Sequence, residues 1–221
     1  MLDSNWDSLN GPVAHEIEAL NYSNQVNVIE ALIKVVITQV GLVGTRSAYA
    51  PNVNALKELH RTATIFLLHS PGEFRMEDVR VVNGLGEVRY QAPPFADVPA
   101  LVDEFCVTLQ ANWLTWTQTE VSAFALWKIN WIHPFKNGNG RTARAFAYAC
   151  LCLQFGGSLP GSKTVIDLIM TNQSHRDAYE AALSHADGVF AQNKTIDVSQ
   201  LSALIEQLLR EQLLSAMPSP P

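Results

Sequence analysis

Apolar residues recur along this chain at three- and four-residue intervals, over windows long enough for several helical turns. The pattern predicts helices at about 13–43 with a break near 21–24, then at 53–69, 97–114, 118–132, 140–154, 162–171, 174–187 and 196–215. Starting signals support several of them. Thr117 and Glu120 have capping-box spacing, Asp97 precedes an early Pro99, and Asp197 stands near the start of the last run. The 118–132 window is apolar nearly all round, through Val121, Phe124, Leu126, Trp127, Ile129, Trp131 and Ile132, so it is expected to be the central buried helix. One stretch departs from the helical period. Phe74 to Val82 and Glu87 to Gln91 hold β-branched and apolar residues on either side of Asn83-Gly-Leu-Gly86, the pattern of a short hairpin. Two strands cannot make a sheet core alone, so the hairpin is expected to lie on the helical body or project from it, offering an edge to an extended peptide. The fold class is therefore all-α, a helical bundle with one short β-hairpin. Residues 1–11 and the proline-rich Met217-Pro-Ser-Pro-Pro221 are expected to be loosely held.

Composition narrows the functional classes. With 48% hydrophobic and 16% charged residues among 221, the chain has ample apolar supply for a folded core. Fifteen Lys plus Arg against 21 Asp plus Glu give a net charge of −6, which argues against a broad surface for nucleic acid and leaves room only for a local anion site. Cys106, Cys150 and Cys152 are odd in number and lie in apolar helical sequence, as expected of reduced, buried thiols. The first ten residues carry no basic region followed by an apolar run, and the stretch from Val35 to Val43 is too short and too interrupted to span a bilayer. A cytoplasmic protein without membrane or nucleic-acid partners is the expectation.

The candidate chemistry lies where the apolar 118–132 pattern stops, at His133-Pro-Phe-Lys-Asn-Gly-Asn-Gly-Arg141-Thr-Ala-Arg144. Pro134 biases His133 toward an extended conformation and ends the helix, which places an imidazole at the mouth of the core. Gly138 and Gly140 permit backbone angles closed to other residues, and they flank Asn139 just before a new helix, whose first amides point one way and form an anion nest. Arg141 and Arg144 project from neighbouring positions of that helix's first turn, where they oppose the helix dipole and call for an anion. A phosphate chain satisfies amides and arginines together and leaves His133 beside it as a candidate general base. A tight interhelical turn with solvated arginines is the plain alternative for any one of these residues; their clustering within twelve positions favours a chemical site. The loop has no second histidine at ligand spacing and no nearby cysteine for zinc, and no Gly-Lys-Ser/Thr for a Walker-type phosphate loop.

HPFKNGNGRTAR resembles the Fic-domain signature HPFx(D/E)GNGRxxR at every specified position but one. The resemblance extends over roughly 55–190, through Gly72-Glu-Phe-Arg75, Ala92-Pro-Pro94 and Arg176-Asp-Ala-Tyr179. It implies an α-helical Fic fold and the transfer of AMP from ATP to a Ser, Thr or Tyr hydroxyl of a target protein. By the same resemblance His133 is the base, Gly138, Asn139 and Gly140 form the anion hole, and Arg141 and Arg144 hold the outgoing phosphates. The hairpin 74–91 would be the flap that aligns the target, through Phe74, Arg75, Val79, Val81 and Val88. Asn137 stands where the family has the Asp or Glu that holds Mg²⁺; an amide oxygen brings no charge, so metal affinity is expected to be weaker. That departure leaves open a weakened or inactive nucleotide- or partner-binding module, another donor, or removal of AMP. Ser202-Ala-Leu-Ile-Glu206 resembles the family's inhibitory (S/T)xxxE(G/N) pattern except at Gln207, which implies a Glu206 pairing with Arg144; a separate inhibitor protein is the alternative. The expected organisation is a helical extension over 1–54, a core over 55–190, and a C-terminal helix with a disordered, inhibitory tail region over 191–221.

Overall fold

The computed structural model describes residues 6, 7, 9, 11–82 and 85–217. Among them the order is α1 (Pro12–Val40), β1 (Leu42–Val43), β2 (Arg46–Ser47), α2 (Val53–Thr64), β3 (Arg80–Val82), β4 (Val88–Gln91), a short 3₁₀ turn, α3 (Val98–Asn112), α4 (Gln118–Ile132), α5 (Asn139–Gln154), α6 (Val165–Thr171), α7 (Gln173–Asn193) and α8 (Ser199–Leu214). The fold is all-α, as the periodicity predicts. The hairpin corner at Asn83 and Gly84, the proline-rich end 218–221, and residues 1–5, 8 and 10 lie outside the described residues.

The central helix is α4. It starts on the Thr117–Glu120 capping box, and every residue from Val121 to Ile129 is buried. A helix apolar on all sides needs neighbours on all sides, and α5, α3 and α8 supply them. Its rings interlock with theirs: Phe124 lies 5.6 Å from Phe105 of α3, which in turn lies 5.7 Å from Phe146 of α5. Lys128 is the charged exception on the buried stretch. Its ammonium sits 4.3 Å over Trp131 and 4.6 Å over Phe190 and lies 3.8 Å from Glu104, so ring faces and one carboxylate replace water.

Two expectations about the N-terminal part are overturned. Helix α1 runs unbroken through 21–24: Asn21 and the following Gln25 face a neighbour, while Ser23 and Asn24 lie on the exposed side. Asn21 Nδ2 donates to the Ile65 carbonyl at 2.9 Å and Gln25 Nε2 to the Leu59 carbonyl at 2.8 Å, both within the contact between α1 and α2. The described part of 1–11 is anchored too: Trp6 is buried with Ala14, Leu67 and Leu68, and the Asp7 amide donates to the Leu67 carbonyl at 3.0 Å. The β1–β2 pair, two residues per strand, is too short to leave a periodic signal.

The β3–β4 hairpin is antiparallel, with Arg80 opposite Gln91, Val81 opposite Tyr90, and a bulge before Val82 meets Val88. Its strands are exposed, but its base is not. Arg75, 3% exposed, donates to the carbonyls of His133 at 2.8 Å, Glu77 at 2.9 Å and Pro93 at 2.5 Å, while its own amide donates to Pro134 at 3.0 Å. One guanidinium therefore joins the hairpin base to the C-terminal end of α4. Arg75→Met keeps the length and removes the donors, so it is expected to lower unfolding free energy by about 2–3 kcal/mol. Urea unfolding checks this; a loss below about 0.5 kcal/mol, ordinary for an open surface site, would mean that the carbonyls find other partners.

Candidate active site

The loop between α4 and α5 is built from two left-handed corners. His133 has φ 52° and ψ 57° instead of the extended conformation expected before proline, and its amide still donates to the Ile129 carbonyl at 3.0 Å. The ring of Pro134 bars right-handed helix at the preceding residue; the left-handed region is the other exit, and it lets His133 cap the last turn of α4 while reversing the chain. The second corner is Gly138, φ 75°, where a Cβ would come within 2.6 Å of Thr64 Cγ2. Just after the second corner, Asn139 closes a ring with Phe135: Oδ1 accepts the Phe135 amide at 2.9 Å, and Nδ2 donates to its carbonyl at 2.8 Å.

Helix α5 bonds back on itself from Thr142, whose amide donates to the Gly138 carbonyl at 3.0 Å. The amides of Asn139 and Gly140 therefore precede the first helical bond, at the positive end of a 16-residue helix. The Gly138 amide does not join them, because it donates to Asn137 Oδ1 at 2.6 Å. Gly140 is helical, so its role is space and not an unusual angle: a Cβ there would lie 3.3 Å from Arg144 Nη1.

His133 Nδ1 lies 3.2 Å from the Asn130 carbonyl, which assigns the ring proton to Nδ1 and leaves Nε2 as the basic nitrogen. Burial, aided by the Arg75 charge, lowers the imidazole to about 4 against the opposing Asn130 bond. Arg141 sits 4.7 Å from the Trp6 ring and 3.5 Å from Glu18 Oε1, to which Trp6 Nε1 donates at 2.5 Å. Arg144 faces Tyr179 of α7, whose hydroxyl accepts from Asn130 Nδ2 at 3.1 Å. Its Nε is buried with no hydrogen-bond partner among the described residues.

The structure thus brings His133, Arg141, Arg144 and the first α5 amides to one end of the α4–α5 pair, with α1 lying along α5. Other predicted residues fall elsewhere. Phe74 is half-buried 5.7 Å from Phe135 and Arg75 is buried, so both anchor the base of the hairpin; Val79 is half-buried, and Val81 and Val88 are exposed. Glu206 does not reach Arg144, because it is exposed and pairs with Arg210 one turn along α8, while Ser202 donates to Thr119 at 2.8 Å in the α8–α4 packing. The acid beside a loop arginine is Glu18, which no spacing in the sequence marks. Asn137 offers one uncharged oxygen, already accepting an amide, and no group of three His, Cys, Asp or Glu suited to a metal occurs among the described residues. This donor set does not fit a protein-held Mg²⁺.

Residues 50–151 match the model of the Fic/DOC family. No curated protein matches the chain. Among solved structures, a Fic family protein from Desulfovibrio desulfuricans G20 is 20% identical with a TM-score of 0.63, over 94% of this chain and 55% of that one. Fic-1 from C. elegans is 17% identical with a TM-score of 0.67, over 97% and 53%. BepC, a VirB-translocated effector from Bartonella tribocorum with bound AMPPNP, is 14% identical with a TM-score of 0.51, over 94% of each chain. The chain spans about half the length of the first two. At these identities the likeness establishes the fold. Among the described residues no helix is long and apolar enough to cross a membrane.

Two imidazoles, one buried and one half-buried, set a pH dependence. His60, fully buried, and His133 are both lowered from 6.5 to about 4, chiefly by burial. The unfolded chain takes up these protons below about pH 6.5 and the folded chain only near 4, so their stabilisation is full above 6.5 and is lost as pH falls toward 4. The loss from His60 is on the order of 1–3 kcal/mol. Asp197, held down to about 2 by Ser199 and His185, acts only below pH 3.8 and does not overlap this window. Urea midpoints between pH 7 and 4 should fall progressively; a flat profile would contradict histidines held neutral in the folded chain.

Proposed function

With residues 50–151 forming a Fic/DOC-family domain, we propose that this chain transfers AMP from ATP to a Ser, Thr or Tyr hydroxyl of a target protein. The observation that carries the reading is an imidazole with an unprotonated Nε2 at the same helix junction as the open amides and two arginines. The target hydroxyl oxygen attacks the α-phosphorus, its proton passes to His133 Nε2, and the bond to the β-phosphate oxygen breaks to release pyrophosphate. The amides of Asn139 and Gly140 face the charge that develops on the α-phosphate, where fixed dipoles need no reorganisation. Arg141 and Arg144 balance the charge of the departing phosphates. The exposed β3–β4 hairpin, with Val81 and Val88, offers main-chain groups to an extended target segment.

Regulation belongs to the N-terminal side in this reading. Glu18 and Trp6 engage Arg141, so a nucleotide phosphate would compete with them for the guanidinium. The division into 1–54, 55–190 and 191–221 is part of the same proposal, with restraint assigned to the first segment in place of the last. A second reading, nucleotide binding without transfer, is favoured by the uncharged Asn137.

Protein given α-labelled ATP and Mg²⁺ should label itself or a lysate protein, and His133→Ala should abolish the signal. Glu18→Gly should raise labelling about tenfold, equivalent to about 1.4 kcal/mol of relieved competition. Labelling that survives His133→Ala would remove the proposed base. Binding of AMPPNP with no labelling in wild type or Glu18→Gly, and labelling gained in Asn137→Asp, would establish the second reading.

A further inference from the structure

His60 of α2 lies beneath the loop with none of its surface exposed. Its Nδ1 accepts the Gly72 amide at 2.9 Å, which only an unprotonated ring nitrogen can do, so the ring proton is on Nε2. That nitrogen lies 2.9 Å from the Asn137 carbonyl and donates to it. The ring face lies on Phe135, with centroids 3.7 Å apart and planes 5° from parallel. Gly138 rests on the same ring, since a Cβ there would stand 3.5 Å from Nε2. Both nitrogens and one face are thus committed inside the protein, which excludes His60 as a carrier of the reaction's proton.

The Asn137–Gly138 peptide is held at both ends, its carbonyl by His60 and its amide by Asn137 Oδ1. Such restraint matters because the next residue is a glycine at φ 75°, where the chain has few steric barriers to a different turn. We propose that His60 is a positioning residue for the phosphate-binding start of α5: by fixing the Asn137 carbonyl it sets the direction of the Asn139 and Gly140 amides, and by holding Gly72 it links that turn to the segment leading into the hairpin. This rests on reading the α5 start as the phosphate site and the hairpin as the target-binding edge. Histidine suits the position because a flat ring places a donor and an acceptor on different edges while its face packs as an apolar group. One imidazole then couples the two halves of the site, the turn that meets the nucleotide and the approach to the strands that meet the target.

Two near-isosteres separate positioning from packing. His60→Gln places an amide nitrogen near Nε2 and keeps the donor to Asn137; His60→Asn places an oxygen near Nδ1 and keeps only the acceptor for Gly72. The expected result is a fall in kcat for AMP transfer of about 10- to 100-fold in His60→Asn, with faster amide exchange across 134–142. His60→Gln should hold kcat within a few-fold, keep exchange across 134–142 near wild type, and speed exchange only at 70–75. Equal losses in both variants, in proportion to their urea midpoints, would overturn the proposal and leave a packing role. Should neither variant fold, imidazole ¹⁵N shifts of the wild-type protein decide: an Nε2–H ring supports the assignment, and an Nδ1–H ring overturns it. Exchange and ¹⁵N shifts need no turnover, so a wild type that transfers nothing would overturn the proposed function while His60 is still decided by them.

Discussion

Two largely buried helices end at the same place, and the backbone groups of both ends need partners there. Helix α4 arrives with the carbonyls of its last turn, and α5 departs with its first amides. Arg75 takes the His133 carbonyl, His60 takes that of Asn137, and Asn139 closes the ring with Phe135. Among the described residues the amides of Asn139 and Gly140 are the groups left over. A helix start with arginines at its first and second turns concentrates positive potential from backbone amides and two side chains, and it needs no basic surface. A net charge of −6 is compatible with it for that reason.

The same junction explains how restraint and chemistry come to share residues. Helix α1 is held on α2 by Asn21 and Gln25, and this docking brings Glu18 to Arg141. Trp6 then lies against both. The N-terminal segment is tied down again by Asp7, which pairs with Lys136 of the loop itself. An acidic chain thus supplies its own counter-charge to the site from α1 and the segment before it.

Local features were legible in the sequence. All-round apolarity marked α4 as central, the capping box marked its start, and His133, Arg141 and Arg144 stood out because their chemistry is concentrated within twelve positions. What was not legible depends on which elements touch. The stretch 21–24 reads as a helix break because a polar residue such as Asn21 facing a neighbour's carbonyls looks the same in sequence as one facing water. His60 and Asn137 are 77 residues apart, and Glu18 meets Arg141 only because α1 packs along α5. Glu206 carried an attractive spacing, but on α8 that spacing makes an ordinary pair with Arg210. The left-handed His133 was missed because proline's effect on the preceding residue leaves two exits, and tertiary packing chose between them.

The central claim is that the start of α5 binds phosphate through its first amides acting together with Arg141 and Arg144. Titration of Glu18→Gly protein with pyrophosphate, followed by backbone ¹⁵N–¹H spectra, tests it most directly, since that variant leaves Arg141 open to the ligand. The account predicts saturable shifts largest at the Asn139 and Gly140 amides, lost when Arg141 and Arg144 are both replaced by alanine. Small shifts scattered over the surface, or saturation unaffected by the double replacement, would contradict it.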